Sequence, residues 1–181
     1  MKAILIIATV GFFATGLNKE SPLSDTFGTL VGADGEISMP RDFRAQYTHL
    51  GSWFVPEGEA SGFHDVYAQQ QAVEQFRATG QFPDGTVLVK ELRAHDSKAM
   101  STGTPAWAND TIKQWFVMVK DSGSRFDDNA NWGDGWGWAL FQPGKVGNVS
   151  ADYKTDCLGC HVPAKTTDWV YVEGYPSLKK P

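Results

Sequence analysis

Cysteine is nearly absent from this chain, with two residues among 181, Cys157 and Cys160. A framework of several disulfides is excluded, and a single bridge across two intervening residues would remove little chain entropy. Positive charge is scarce as well. The 16 Lys and Arg face 21 Asp and Glu, a net charge of −5, which leaves no basic footprint for nucleic acid and favours solubility. Long apolar runs are missing with one exception: Ala3 to Leu17 is uncharged over 15 residues and follows Met1-Lys2. That run is short for a span of about 20 residues and suits the core of a secretory signal. Ala14, Thr15 and Gly16 are small enough to be read by a signal peptidase, so residues 1–16 are expected to be a signal peptide cut after Gly16. An uncleaved single-span anchor is the alternative. No cysteine lies nearby, so a lipid-anchored form is not expected. The protein is thus expected in the periplasm, with no stable membrane insertion once the signal is removed.

Aromatic residues, by contrast, are plentiful: 13% of the chain, with seven Trp and 11 Phe, suited to a core or pocket of large flat side chains. The length fits one domain with extensions. Residues 17–39 are polar and turn-rich and read as an irregular N-terminal arm, which leaves residues 40–181 as the domain. After Pro40, the spacing of Phe43, Tyr47 and Leu50 predicts a short helix ended by Gly51. Residues 63–68 read as a strand, and residues 69–80 as a helix closed by Gly80. Pro83-Asp84-Gly85 marks a turn before a β-branched strand over 86–93. Further strands are predicted over 111–121 and 136–142. Strands dominate the middle and short helices lie at both ends. The fold class expected is α+β: a mainly antiparallel β-sheet with a few short helices and a C-terminal cofactor-binding segment.

That segment contains "TDCLGCHVPAK", residues 155–165. Two thiols spaced by two residues can each add to a vinyl group of one haem, and the adjacent histidine reaches the iron from the same side. Cys157, Cys160 and His161 are therefore read as the attachment site of one covalently bound haem c, with His161 as the iron ligand. A zinc site would need three or four ligands, and His49, His64 and His95 are scattered. A thioredoxin-like redox pair would need a strand–helix–strand context that is absent here.

The other face of the iron decides what such a protein does. A methionine there would suit an electron carrier, and the candidates are Met39, Met100 and Met118. Without one, the iron is open to small ligands. In "TVLVKEL", alternation places Thr86, Leu88, Lys90 and Leu92 on one face and Val87, Val89, Glu91 and Arg93 on the other. Periodicity alone favours Lys90 as an edge-strand lysine reaching for solvent. The sharper reading is a desolvated amine able to act as a nucleophile or ligand.

"FPDGTVLVKELR", "QWFVMVKD", "NWGDGWGWALF" and "DYKTDCLGCHVPAKTTDWVYVEGYP" together resemble the cytochrome P-460 family, which includes the cytochromes c′-beta. The resemblance runs from about Pro40 to Pro176 and implies a homodimer with five-coordinate haem iron bound by His161. It also implies one of two activities. In the first, a lysine, here Lys90, is crosslinked to the haem and hydroxylamine is oxidised to nitric oxide or nitrous oxide, with a soluble periplasmic cytochrome as electron acceptor. In the second, the crosslink is absent and the protein binds or scavenges nitric oxide. The oxidising members use a distal carboxylate, and the matching strand here is apolar around Phe116 and Met118. His64 is a candidate distal base or hydrogen-bond donor, the alternative being a surface histidine paired with Asp65. Phe63 and Phe116 are the expected cofactor contacts, with Phe54, Trp136 and Trp138 as further candidates for pocket walls. The presence of Lys90 tilts the expectation toward hydroxylamine oxidation. A periplasmic electron carrier is the remaining alternative.

Overall fold

A computed structural model describes Leu23 and residues 25–180. The expected signal peptide, and the arm's residues 17–22 and 24, lie outside the described residues. The elements in order are α1 (Thr26–Thr29), α2 (Phe43–Gln46), β1 (Thr48–Val55), β2 (Gly62–Ala68), α3 (Gln70–Thr79), β3 (Val87–Ser97), β4 (Ala106–Lys120), β5 (Trp132–Gly133) and β6 (Trp136–Phe141). Two single-turn helices, α4 (Tyr153–Asp156) and α5 (Leu158–His161), carry the cysteine motif, and three short 3₁₀ turns finish the chain. The six strands form one antiparallel sheet in the order β1-β2-β3-β4-β6-β5, which makes the fold α+β. No helix among the described residues is long and apolar enough to cross a membrane.

The sheet is covered on both faces, so its central strands are apolar on both sides rather than alternating. On one face Leu88, Met118, Trp136 and Trp138 pack against Val73 of α3 and against Trp169, Val170, Tyr175 and Leu178 of the C-terminal segment. On the other, Val87, Val89, Val117 and Val119 pack against Val31, Ile37 and Phe43. The arm is therefore not loose. Its residues 31–37 pair through a Val31–Ile37 bridge, and Ile37 is only 2% exposed. Burying an aliphatic side chain of this size contributes about 1.5–3 kcal/mol, and Val31, Ile37 and the flanking Leu30 and Met39 together anchor the segment on the sheet.

Two elements explain themselves locally. α3 ends at Gly80, whose φ of 78° is the left-handed conformation glycine tolerates, and its amide closes the last turn on the Phe76 carbonyl at 2.7 Å. The helix expected over Phe43 to Leu50 stops after Gln46, and Thr48 begins a strand that runs through Gly51 to Val55. Gly51 sits at a register shift in that strand, and a Cβ there would lie 2.3 Å from the Gly174 carbonyl oxygen. It is a glycine because the C-terminal segment crosses β1 at that point, not because a helix ends.

Candidate functional site

The haem-motif side of the sheet holds a cavity of about 460 Å³, within the range of about 300–1,000 Å³ common for cofactor and ligand pockets. Its floor is three rows of cross-strand neighbours. Trp53, His64, Leu92 and Gln114 form the first, Val66, Lys90, Phe116 and Leu140 the second, and Leu88, Met118 and Trp138 the third. Its roof is the C-terminal segment, which brings Cys157, Cys160 and His161 over the floor. The alternation expected for β3 holds: Leu88, Lys90 and Leu92 line the cavity, while Glu91 lies on the far face, 1% exposed, held by Arg44 and Trp115.

His161 is oriented by the backbone. Its Nδ1–H donates to the Trp169 carbonyl at 2.7 Å, and since a carbonyl only accepts, this fixes the proton on Nδ1 and leaves Nε2 with its lone pair. Metal-bound histidines are held in this way, with the second nitrogen anchored behind them. Trp138 packs edge-on against the ring at 4.9 Å between centroids. Burial holds His161 below the ordinary histidine pKa, so the imidazole is neutral and available as a donor at neutral pH. The two cysteines are free. Cys157 is buried and Cys160 exposed. Burial pushes the Cys157 thiol up to about 11, unlike the low-pKa thiolate of a redox dithiol. Among the described residues no group of three or more His, Cys, Asp or Glu could hold a bare metal ion, which disfavours a zinc site.

Lys90 enters the same cavity from below. Its Nζ lies 3.9 Å from the centre of the Phe116 ring. No carboxylate pairs with it among the described ion pairs, and burial lowers its pKa to about 8, partly opposed by the two thiols. About a tenth of the amine is therefore neutral at pH 7, far more than for a free lysine. This is a desolvated lysine in a pocket, not one reaching for bulk solvent.

His64 also faces the cavity and is 4% exposed. Its Nε2–H donates to the Ala60 carbonyl at 2.8 Å, and its ring stacks on Trp53 at 4.9 Å. Nδ1 is buried without a partner. Burial lowers the His64 pKa, so the ring is neutral at neutral pH and Nδ1 can only accept a proton or a hydrogen bond. The pairing with Asp65 does not occur. Alternation puts Asp65 on the opposite face, where it accepts from Ser52 and lies 3.8 Å from His49.

The same alternation corrects Phe63. As the neighbour of His64 it points away from the cavity and packs on Phe54, with ring centroids 4.8 Å apart. Neither residue can wall the pocket. Trp136 does not wall it either, being buried beyond the third row against Phe82. Phe116 and Trp138 do line it. The methionines separate clearly. Met39 packs on the far face, and Met100 is exposed near the β3–β4 turn. Met118 lines the cavity from its floor, packed in the core beside Leu88 and Trp138.

Some lining residues escaped the sequence reading. Gln114 shares its face with Phe116 and Met118, which the alternation in "QWFVM" would have revealed. Glu59 reaches the rim from the β1–β2 loop, which Lys113 Nζ tethers by donating to the Glu59 and Ser61 carbonyls, each at 2.9 Å. No local pattern marks a loop residue of this kind. Tyr171 lines the roof and donates its hydroxyl to the Cys160 carbonyl at 2.7 Å.

The residues present fit a haem. Two thiols and a neutral histidine with a free Nε2 face a largely apolar cavity of suitable size. A family model agrees: the cytochrome P-460 model matches residues 40–172. The chain belongs to the cytochrome P-460 family. It is accordingly a haem-binding cytochrome. No curated protein matches the chain at a significant level.

Proposed function

We propose that this cytochrome P-460 family member oxidises hydroxylamine at a single haem c with five-coordinate iron. Cys157 and Cys160 would hold the haem by thioethers formed when each thiol adds across a vinyl group, and His161 Nε2 would bind the iron. The bound haem supplies an iron centre that takes electrons from a nitrogen ligand and passes them on. The remaining chemistry is the chain's own. Each hydroxylamine that loses two electrons also loses two protons, and the unpartnered Nδ1 of neutral His64 is a buried base in the cavity able to take one. Glu59, at the rim, is placed to pass it to solvent.

The observation that carries this reading is Lys90, an amine inside the cavity with no acidic partner and a pKa of about 8. Such an amine is suited to bond to the macrocycle edge. Replacing a ring C–H by C–N releases two protons and two electrons, which an oxidant such as hydrogen peroxide would accept. The resulting distortion would alter the electronics of the haem. Tryptic digestion and mass spectrometry test this directly. A peptide containing Lys90 joined through haem to the peptide containing Cys157 and Cys160 is expected, and separate peptides would contradict it.

A second reading is favoured by one feature. No carboxylate on the strands faces the cavity, and Leu92, Phe116 and Leu140 make its floor apolar. Such a pocket suits capture of nitric oxide at an uncrosslinked haem. An electron carrier is disfavoured because Met39 and Met100 do not line the cavity and Met118 is packed in the core beside Leu88 and Trp138. Export to the periplasm through residues 1–16 and transfer of electrons to a soluble cytochrome there belong to the same proposal. So does a homodimer, supported by Trp107, 40% exposed on the part of the β3–β4 hairpin that extends past β2.

A further inference from the structure

Two consecutive residues just after the haem motif, Asp168 and Trp169, have φ of 58° and 65°. Left-handed backbone is unfavourable for residues with a Cβ and persists only where the surroundings over-determine it. Here the surroundings are the sheet. Lys120 Nζ donates to Asp168 Oδ1 at 2.7 Å in a largely enclosed ion pair. Trp136 Nε1 donates to the Asp168 carbonyl at 3.0 Å. Lys120 and Trp136 are themselves cross-strand partners on β4 and β6, and Trp136 is wholly buried. The grip is therefore built on the β4–β6 pairing of the sheet.

The peptide that follows carries the Trp169 carbonyl, the acceptor of the His161 Nδ1 proton. Lys120, Trp136 and Asp168 do not line the cavity. Their hydrogen-bonded route to the site runs through the Asp168–Trp169 backbone and that carbonyl.

We propose that Asp168 is a positioning residue: gripped by Lys120 and Trp136, it holds the Trp169 carbonyl on His161 Nδ1 and so sets the donor strength of Nε2 toward haem iron. This rests on His161 being the iron ligand. A firm Nδ1–H···O=C bond shifts electron density toward Nε2, which strengthens the iron–histidine bond and favours ferric over ferrous iron. Loosening the carbonyl does the reverse. A salt bridge that merely pinned the chain terminus would alter the unfolding transition and leave the iron–histidine bond unchanged.

The test uses the haem-loaded protein and two readouts, the iron–histidine stretching band of the ferrous form and the midpoint potential. Asp168→Ala is expected to lower the stretching frequency and raise the potential. Asp168→Gly should do the same although glycine accepts the left-handed backbone, because the side-chain grip is gone. Asp168→Asn, whose amide oxygen can still accept from Lys120, should retain part of the wild-type values. Lys120→Met should shift both readouts less than Asp168→Ala, since Trp136 Nε1 still reaches the Asp168 carboxylate at 3.3 Å. If Asp168→Ala fails to load haem, Asp168→Asn and Lys120→Met carry the test. Wild-type frequency and potential in these folded variants, with only a lower unfolding midpoint, would overturn the proposal. A five-coordinate high-spin ferrous wild type with no iron–histidine band would refute His161 as the ligand, and the positioning role would fall with it.

Discussion

The amine of Lys90 lies 3.9 Å from the centre of the ring of Phe116, its cross-strand partner on β4. The contact accounts for how a lysine is tolerated inside the pocket without a carboxylate: the ring face gives partial compensation for the lost hydration, about 2 kcal/mol when desolvated. It also leaves the nitrogen's lone pair available whenever the amine is neutral. A single strand-to-strand pairing thus accounts for the tolerance of Lys90 inside the pocket.

The first prediction concerns that burial in the haem-free chain. With a folded pKa of about 8 against 10.5 for the free side chain, the unfolded state binds more protons between these values. Stability therefore rises with pH across that window and is lower, by about 3 kcal/mol, below pH 8 than above pH 10.5. Urea unfolding of the wild type and of Lys90→Met should converge as pH increases through this range. Parallel curves would show that Lys90 is not desolvated.

His64 provides a second. Its pKa is lowered by burial, so the neutral base persists to below pH 6.5. Activity with hydroxylamine should fall only as pH drops through the depressed value and protonates Nδ1. His64→Gln should lower kcat by about 100-fold or more and remove that acid limb. An unchanged pH profile in the variant would exclude His64 as the base.

Arg44 and Glu91 form a third, on the face away from the cavity. Arg44→Met leaves a carboxylate 1% exposed with Trp115 as its remaining side-chain partner. The loss should be about 2 kcal/mol in chemical denaturation, short of the roughly 3–5 kcal/mol for two buried partners because Arg44 is half exposed. The optical spectrum of the bound haem should not change.

A fourth tests the crossing of β1 by the C-terminal segment. A Cβ at Gly51 would meet the Gly174 oxygen at 2.3 Å. Gly51→Ala should lower stability by about 1–3 kcal/mol, read as a lower Tm, and weaken the docking of the segment that forms the cavity roof.

Much of this was legible in the sequence, for identifiable reasons. The β-branched and aromatic runs of β2, β3, β4 and β6 declare themselves, and Gly80 marks the end of α3. The leucines flanking Lys90 reveal its face. β1 was hidden because Phe43, Tyr47 and Leu50 fall at helical spacing, whereas pairing with β2 decides the conformation of Thr48–Val55. Phe63 was misassigned by one step of parity, since His64 holds the inward position. The covering role of the arm was invisible because its few apolar residues sit among turns. What orients His161 is a backbone carbonyl, and side-chain identity says nothing about where a carbonyl will point.

The central claim is that Lys90 modifies the haem, and the ferrous optical spectrum of the wild type beside Lys90→Leu tests it most directly. A wild-type Soret band shifted far to the red, with no normal pyridine haemochrome, and an ordinary high-spin c-type spectrum in the variant is the expected result. Identical ordinary high-spin spectra for both would contradict the crosslink and leave nitric oxide capture as the function. A low-spin six-coordinate spectrum would contradict both and point to electron transfer.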